Sequence, residues 1–269
     1  MIRISDIDDP RIGMFRSLKD LRRGDPSAPC IAEGFKVVRA AVLSGLPIHS
    51  VFTESSWLEE HGELFRSRGI VGDRLLIADR DVMTSIVGFA MHQGIMAAVL
   101  PPPPLDESDI TFPCLVLNSI SDSENVGALV RVACAFGWKN IVVDSSTVSP
   151  LVRRAVRVSM GTVFSIRVHE AAHLPALLHQ LRHHAGARII GAESTPGSID
   201  VSKYAFPPRT VLVVGSEGHG IRPPVLAACD DVVRIPMDPR VSSLNVATAA
   251  SVFCHAYTAQ HGIASDGLP

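Results

Sequence analysis

Apolar residues along this chain recur in two rhythms. Short runs rich in valine, isoleucine and leucine suit buried strands, and between them apolar positions return every three or four residues, the spacing of one helix face. In the first part the pattern predicts a helix near Pro10 to Arg22, a strand at Cys30 to Ala32, a helix from Gly34 to Leu43 and a strand at Ile48 to Thr53. Strands at Leu75 to Ala78 and Gly94 to Leu100 follow, with a helical stretch from Asp81 to Val87. The second part alternates more clearly: strand Cys114 to Leu117, helix Val126 to Phe136, strand Ile141 to Val143, helix Leu151 to Val158, strand Val163 to Val168 and helix Leu174 to His184. It continues with strands Arg188 to Gly191, Thr210 to Val214 and Val232 to Ile235, and helix Val246 to Tyr257. Such interleaving predicts an α/β fold with a mostly parallel sheet and helices on both faces, preceded by a smaller α/β layer. The boundary falls at Pro101 to Pro104, because consecutive prolines join neither a helix nor an interior strand. The expected division is a first domain over 1–100, a Pro-rich linker over 101–109 and a second domain over 110–265.

At 269 residues and 46% hydrophobic content the chain can bury proper cores, which excludes a disordered or fibrous protein. The formal charge of -2 is shared evenly across the proline run, so any affinity for nucleic acid must come from local patches. Nearly all the positive charge is arginine, which a GC-rich genome explains as readily as phosphate binding does. The cysteines, Cys30, Cys114, Cys134, Cys229 and Cys254, are odd in number, far apart and set among apolar residues. They suit buried thiols in a reducing cytoplasm better than disulfides or a zinc knuckle. No apolar run reaches the length of a membrane span, so a cytoplasmic protein without membrane partners is expected.

Three blocks carry the candidate chemistry, and in parallel sheets ligands bind beyond the carboxyl ends of strands, where all three fall. Asn125 precedes a helix whose apolar stripe is Val126, Leu129, Val130, Ala133 and Phe136, with Arg131 roughly opposite. Asparagine there serves as an N-cap as well as a site residue, and Arg131 alone would be an ordinary solvated arginine. Gly215-Ser216-Glu217-Gly218-His219-Gly220 follows the apolar strand ending at Val214; its G-x-x-G-x-G spacing is not that of dinucleotide binders. A plain glycine turn would account for it, except that Glu217 has no structural task in so tight a turn. In the third block, Ile235-Pro236 ends a strand, and Ser242, Ser243 and Asn245 surround Leu244 just before a helix, more polar residues than one cap needs.

Other clusters compete. His169-Glu170-Ala171-Ala172-His173 spells the zincin signature, with Glu193 as a conceivable third ligand, but the signature requires both histidines on one face of a helix. Here it abuts an expected strand, and Pro175 favours a helix beginning after His173, so a strand-to-helix junction is expected and no metal site. Arg153, Arg154 and Arg157 form a basic patch that suits a solvated face or a phosphate clamp for RNA. In the first domain, Glu33-Gly34 and His92-Gln93-Gly94 read by themselves as short polar turns.

The three blocks, in this order and spacing, resemble the SpoU/TrmH family of S-adenosylmethionine-dependent RNA 2'-O-ribose methyltransferases in the SPOUT superfamily. The likeness spans about residues 112 to 258, and more loosely 10 to 100, where it suggests a ribosomal-protein-like substrate-binding domain. It implies a SPOUT-like second domain with a C-terminal trefoil knot, a homodimer, S-adenosylmethionine as methyl donor and RNA as partner, rRNA in preference to tRNA. By resemblance the catalytic residues are Asn125, Arg131, Glu217, Ser243 and Asn245. Gly215, Ile235 and Leu244, with Val214 and Gly220, would hold the cofactor, while Arg153, Arg154, Arg157, His92 and Gln93 would meet RNA. Arg131 would orient a phosphate and stabilise the forming alkoxide, since a guanidinium is almost never deprotonated. The first block departs from the family at Asn118, where an aspartate is common, and at Asp122-Ser123-Glu124-Asn125, where an Asp-Pro pair is common; this bears on the loop's conformation. The alternatives are a non-catalytic RNA-binding module of the same fold and, more remotely, a zinc peptidase.

Overall fold

The computed structural model describes residues 1–16, 28–87 and 94–263. These form two compact units, the first made of Met1–Pro103 and Leu151–Phe164, the second of Pro104–Pro150 and Ser165–Pro269.

The first unit is built from β1 (Ile2–Arg3), α1 (Gly13–Arg16), β2 (Cys30–Glu33), α2 (Phe35–Leu43), β3 (Ile48–Thr53), α3 (Ser55–Arg66), β4 (Leu75–Ile77), α4 (Arg80–Val87) and β5 (Ile95–Val99). Its strands form a mixed sheet in the order β1-β4-β3-β5-β2, with β5 antiparallel to both neighbours. Alternate residues of β5 face opposite layers, so all five, from Ile95 to Val99, are buried. One face packs Phe52, Leu76, Met96 and Ala98 against Phe15 of α1 and Met83 of α4. The N-terminal segment differs from the expected single helix: a 3-10 turn over Pro10–Ile12 leads into α1, and residues 17–22 lie outside the described residues. Helix α3 has no counterpart in the apolar pattern, because Gly62 and Phe65 are its only fully buried residues.

The second unit begins with β6 (Cys114–Asn118), α5 (Ser123–Ala135) and β7 (Asn140–Asp144). The next helix, α6 (Arg153–Val158), packs with the first unit, and this departs from a single cut at the proline run. Two contacts explain it: Arg153 pairs with Glu33 of β2 at 2.9 Å, and Gly161, at φ 80°, sits so close to α2 that a Cβ there would be 2.8 Å from Ala40. The chain continues with β8 (Arg167–Ala171), α7 (Leu174–Ala185), β9 (Arg188–Ala192), β10 (Ile199–Asp200), β11 (Thr210–Gly215), α8 (Pro223–Leu226), β12 (Asp231–Arg234) and α9 (Val246–His261).

These strands form one parallel sheet in the order β10-β12-β9-β11-β6-β7-β8. Cys114 to Leu117 in β6 are all fully buried, as expected of a strand covered on both faces. On one side Val116, Val142, Ile189, Val211 and Val213 pack against Leu174, Leu177, Leu178 and Leu181 of α7. Helices α5 and α9 pack together, and α9 also lies on β9 and β11. Burial pushes the thiols of Cys114 and Cys254 up to about 12, and burial with the neighbouring Asp230 charge does the same to Cys229. No helix among the described residues is long and apolar enough to cross a membrane.

One expected strand is misplaced. Thr162–Ser165 forms a 3-10 turn, and the strand is Arg167–Ala171, an edge strand with a single buried residue. His169 and Glu170 therefore lie in β8, while His173 caps α7 by accepting from the Ala176 N–H at 3.2 Å. The two histidines share no helix face, so the zincin geometry is absent, as the strand-to-helix reading expects.

The chain turns sharply after β6. Ser119 holds φ at 61°, an uncommon conformation for a residue with a side chain. Its N–H donates to both carboxylate oxygens of Asp144, at 3.0 and 3.1 Å, and Thr147 and Asn118 donate to the same carboxylate at 2.6 and 2.7 Å. Asn118 also accepts from the Arg222 N–H at 2.8 Å, so it both donates and accepts, which an ionised aspartate could not do. Burial raises the Asp144 carboxyl, but the bonds from Thr147, Ser119 and Asn118 outweigh it and hold it below 3.8. A depressed carboxylate contributes stability that is present above its unfolded value and lost as pH falls through the folded one. Acid unfolding followed by circular dichroism should therefore show a loss of stability below about pH 4. Asp144→Asn should flatten that acid limb and lower stability at pH 7.

Candidate active site

Three distant segments meet at the carboxyl end of the second sheet. Asp122 caps α5, its side chain accepting from the Glu124 N–H at 2.8 Å, so Asn125 is not the cap and its amide is left to point elsewhere. It donates to Glu217 Oε1 at 3.2 Å. Asn245 does cap α9, its Oδ1 accepting from the N–H groups of Ala247 and Thr248. With Oδ1 held by backbone donors, Nδ2 must face the other way. It donates to Glu217 Oε1 at 2.7 Å and to Asn125 Oδ1 at 2.8 Å. The Val246 N–H reaches the same Glu217 oxygen at 3.2 Å. Glu217 Oε1 is thus fully engaged, while Oε2 has no bond within the cluster.

Two cavities flank the turn that carries Glu217. The smaller, about 470 Å³, opens at the ends of β9, β11 and β12 and is lined by all five residues assigned to cofactor contact: Val214, Gly215, Gly220, Ile235 and Leu244. Ser243 and Glu217 also face it. The larger, about 720 Å³, lies across the point where the chain leaves β6 for β7, and is lined by Ser119, Ser121, Asp122, Asn125, Ser146 and Arg222 among others. Ser216 to His219 and Val246 belong to both walls. In an open parallel sheet this is where the connections reverse direction and leave a crevice.

Two glycines of the turn, Gly215 and Gly220, are sterically required. A Cβ on Gly215 would lie 2.1 Å from the Gly220 carbonyl carbon, and one on Gly220, at φ 65°, would meet Glu193 Oε2 at 2.2 Å. Glu193, weighed only as a zinc ligand from the sequence, instead accepts from the Ile221 N–H at 3.0 Å and holds the turn closed. His219, standing between both cavities, was also missed; its place directly after Glu217-Gly218 was the available signal.

Other expected residues lie elsewhere. Arg131 is exposed on α5, and among the described residues it makes no hydrogen bond or ion pair with Asn125, Glu217 or Asn245. Arg153 is mostly buried and engaged with Glu33, which leaves it no free fork for phosphate; Arg157 lies 3.9 Å from the same carboxylate, and Arg154 is exposed. The structure thus removes Arg153 from the candidate RNA contacts. His92 and Gln93 lie outside the described residues.

The description SpoU rRNA Methylase family matches residues 113–255, and RNA 2'-O ribose methyltransferase substrate binding matches residues 31–105. An uncharacterized tRNA/rRNA methyltransferase of Mycobacterium tuberculosis is 33% identical over 262 residues, covering 93% of this chain and 88% of its own. The 23S rRNA (guanosine-2'-O-)-methyltransferase RlmB of Acinetobacter baylyi is 30% identical over 183 residues, 65% of this chain and 74% of its own. The fold is shared with an AdoMet-bound rRNA methyltransferase from Sinorhizobium meliloti, with a TM-score of 0.83 at 23% identity over 96% of this chain and 98% of that one. The SpoU methyltransferase AviRb from Streptomyces viridochromogenes, in complex with AdoMet, gives 0.78 at 23% identity over 94% and 98%. The chain belongs to the SpoU rRNA methylase family, S-adenosylmethionine-dependent RNA 2'-O-methyltransferases.

Proposed function

We propose that this enzyme methylates the 2'-hydroxyl of one specific ribose in 23S rRNA. The observation that carries the reading is the meeting of two cavities at Glu217, beside Asn125 and Asn245. S-adenosylmethionine supplies an electrophilic methyl group on a sulfonium. The smaller cavity suits it: apolar side chains from Val214, Ile235 and Leu244 line the walls, and a glycine cradle lets a ligand approach the backbone.

Transfer would be an in-line displacement in which the C–O bond to the ribose oxygen forms as the C–S bond breaks, the donor would leave as a neutral thioether, and the hydroxyl proton would pass by way of Glu217 Oε2 to solvent. Charge is consumed, so alignment and deprotonation matter more than a strong field. With Oε1 of Glu217 saturated, Oε2 is the acceptor that orients a ribose hydroxyl from the larger cavity, and Ser243 does so from the cofactor side. Asn125 and Asn245 act by fixing Glu217. Arg131 enters through a homodimer: exposed on α5 and without an ion-pair partner among the described residues, it serves the cavities of a second copy, orienting phosphate and stabilising the forming alkoxide. A trefoil knot belongs to the same reading, supported by the way segments 215–221 and 235–244 both wall the smaller cavity. The match of residues 31–105 to RNA substrate binding and the relatives named for 23S rRNA favour rRNA over tRNA. The cytoplasm, where that RNA is made, is the expected location.

Incubation with labelled S-adenosylmethionine and unmodified 23S rRNA or tRNA, followed by digestion, should give a 2'-O-methylnucleoside from 23S rRNA alone. Label in tRNA only would overturn the substrate. Glu217→Ala should lower kcat by roughly a hundredfold or more, since misplacement of about 1 Å costs that much. By calorimetry, Gly215→Ala should abolish S-adenosylmethionine binding. Gly218→Ala should retain it, because an added Cβ there meets nothing within 4 Å.

A further inference from the structure

Arginines of the second unit are mostly committed. Arg167 pairs with Asp109 at 3.1 Å, Arg182 with Asp230 at 2.7 Å, Arg188 with Asp231 at 2.7 Å, Arg234 with Asp200 at 2.8 Å and Arg240 with Asp238 at 2.8 Å. Arg209 donates to the Ala185 carbonyl. Apart from Arg131, the exception is Arg222. Among the described residues no carboxylate or carbonyl accepts from its guanidinium, although its backbone is pinned by the 2.8 Å bond to Asn118. It is exposed, and it lines the larger cavity.

The neighbouring part of that cavity's wall is also held in place. Ser119, at φ 61°, is kept there by the Asp144 carboxylate, and Ser121 and Ser146 lie beside it. An uncommon backbone conformation fixed by several bonds points to a surface shaped for a ligand. At about 720 Å³ the cavity is of the size that encloses a small ligand, about 300–1,000 Å³. A cation without an ion-pair partner among the described residues, on a fixed backbone and lining one cavity with hydroxyl-bearing residues and Glu217, suits the phosphodiester of a nucleotide whose ribose reaches Glu217. The formal charge of -2 makes such a local cation necessary for RNA affinity.

We propose that Arg222 binds a backbone phosphate next to the target ribose, making the larger cavity the seat of an unpaired acceptor nucleotide. This rests on the RNA methyltransferase reading above. A guanidinium grips phosphate through two parallel N–H bonds, whereas lysine offers a point charge. Replacing the side chain leaves the Arg222 N–H to Asn118 intact, so the turn keeps its anchor.

The test compares wild type, Arg222→Ala and Arg222→Lys, each as the full chain. Binding to an unmodified 23S rRNA transcript is measured from about 50 to 200 mM salt. Steady-state methylation and S-adenosylmethionine affinity are measured alongside. For Arg222→Ala we expect RNA affinity about tenfold weaker and a slope of log K against log salt shallower by about 0.7 to 0.9. KM for RNA should rise in proportion, with kcat within about threefold and S-adenosylmethionine affinity unchanged. Arg222→Lys should keep the wild-type slope and recover part of the affinity. Wild-type RNA affinity in Arg222→Ala, or weaker binding with an unchanged slope, overturns the proposal. A wild-type enzyme that methylates no RNA would instead defeat the catalytic reading. The salt slopes, which need only binding, would still decide the role of Arg222.

Discussion

One carboxylate oxygen, Glu217 Oε1, ties together the start of α5, the turn after β11 and the start of α9. It accepts from Asn125, Asn245 and the Val246 N–H, residues far apart in the chain. Asn245 can serve it only because its own oxygen is held by the first backbone donors of α9. The helix cap and the contact to Glu217 are therefore one interaction seen from two sides. Helix α5 contributes in the complementary way: Asp122 takes the capping task and frees Asn125. Bonds to an ionised group are stronger than neutral ones, which suits a junction lying at the surface.

Around that junction the backbone is held by crowding and by charge. A side chain on Gly215 would strike the Gly220 backbone and one on Gly220 the Glu193 carboxylate, and Glu193 also ties the far side of the turn through Ile221. On the other flank Asp144 gathers Asn118, Ser119 and Thr147, and Asn118 passes the constraint on to Arg222. Both cavities have walls fixed by half-buried carboxylates, Glu193 and Asp144, while among the described residues Glu217 Oε2 and the Arg222 guanidinium stay uncommitted. The same economy governs cations: in the first unit Arg153 lies with Glu33, and in the second most arginines pair along strand and loop edges, so the unpaired ones stand out.

The sequence by itself determined the α/β alternation, since strands buried on both faces leave unbroken apolar runs such as Cys114 to Leu117. It also determined the glycine turn and the polar block before α9, because cramped backbone and helix caps leave a local signature. Helix α3 escaped it because two buried residues make no stripe, and the strand at Arg167–Ala171 escaped it because an edge strand has little to bury. Only the tertiary structure decided which polar residues meet. The side-chain partners of Glu217 lie 28 and 92 residues away, and the partner of Arg153 lies 120 residues away. A hydrogen bond across such a separation depends on how the elements pack, and no local pattern encodes it. The same packing withdrew Arg153 from solvent, placed Leu151–Phe164 with the first unit and left the Arg222 guanidinium, among the described residues, without an acceptor on the wall of a cavity.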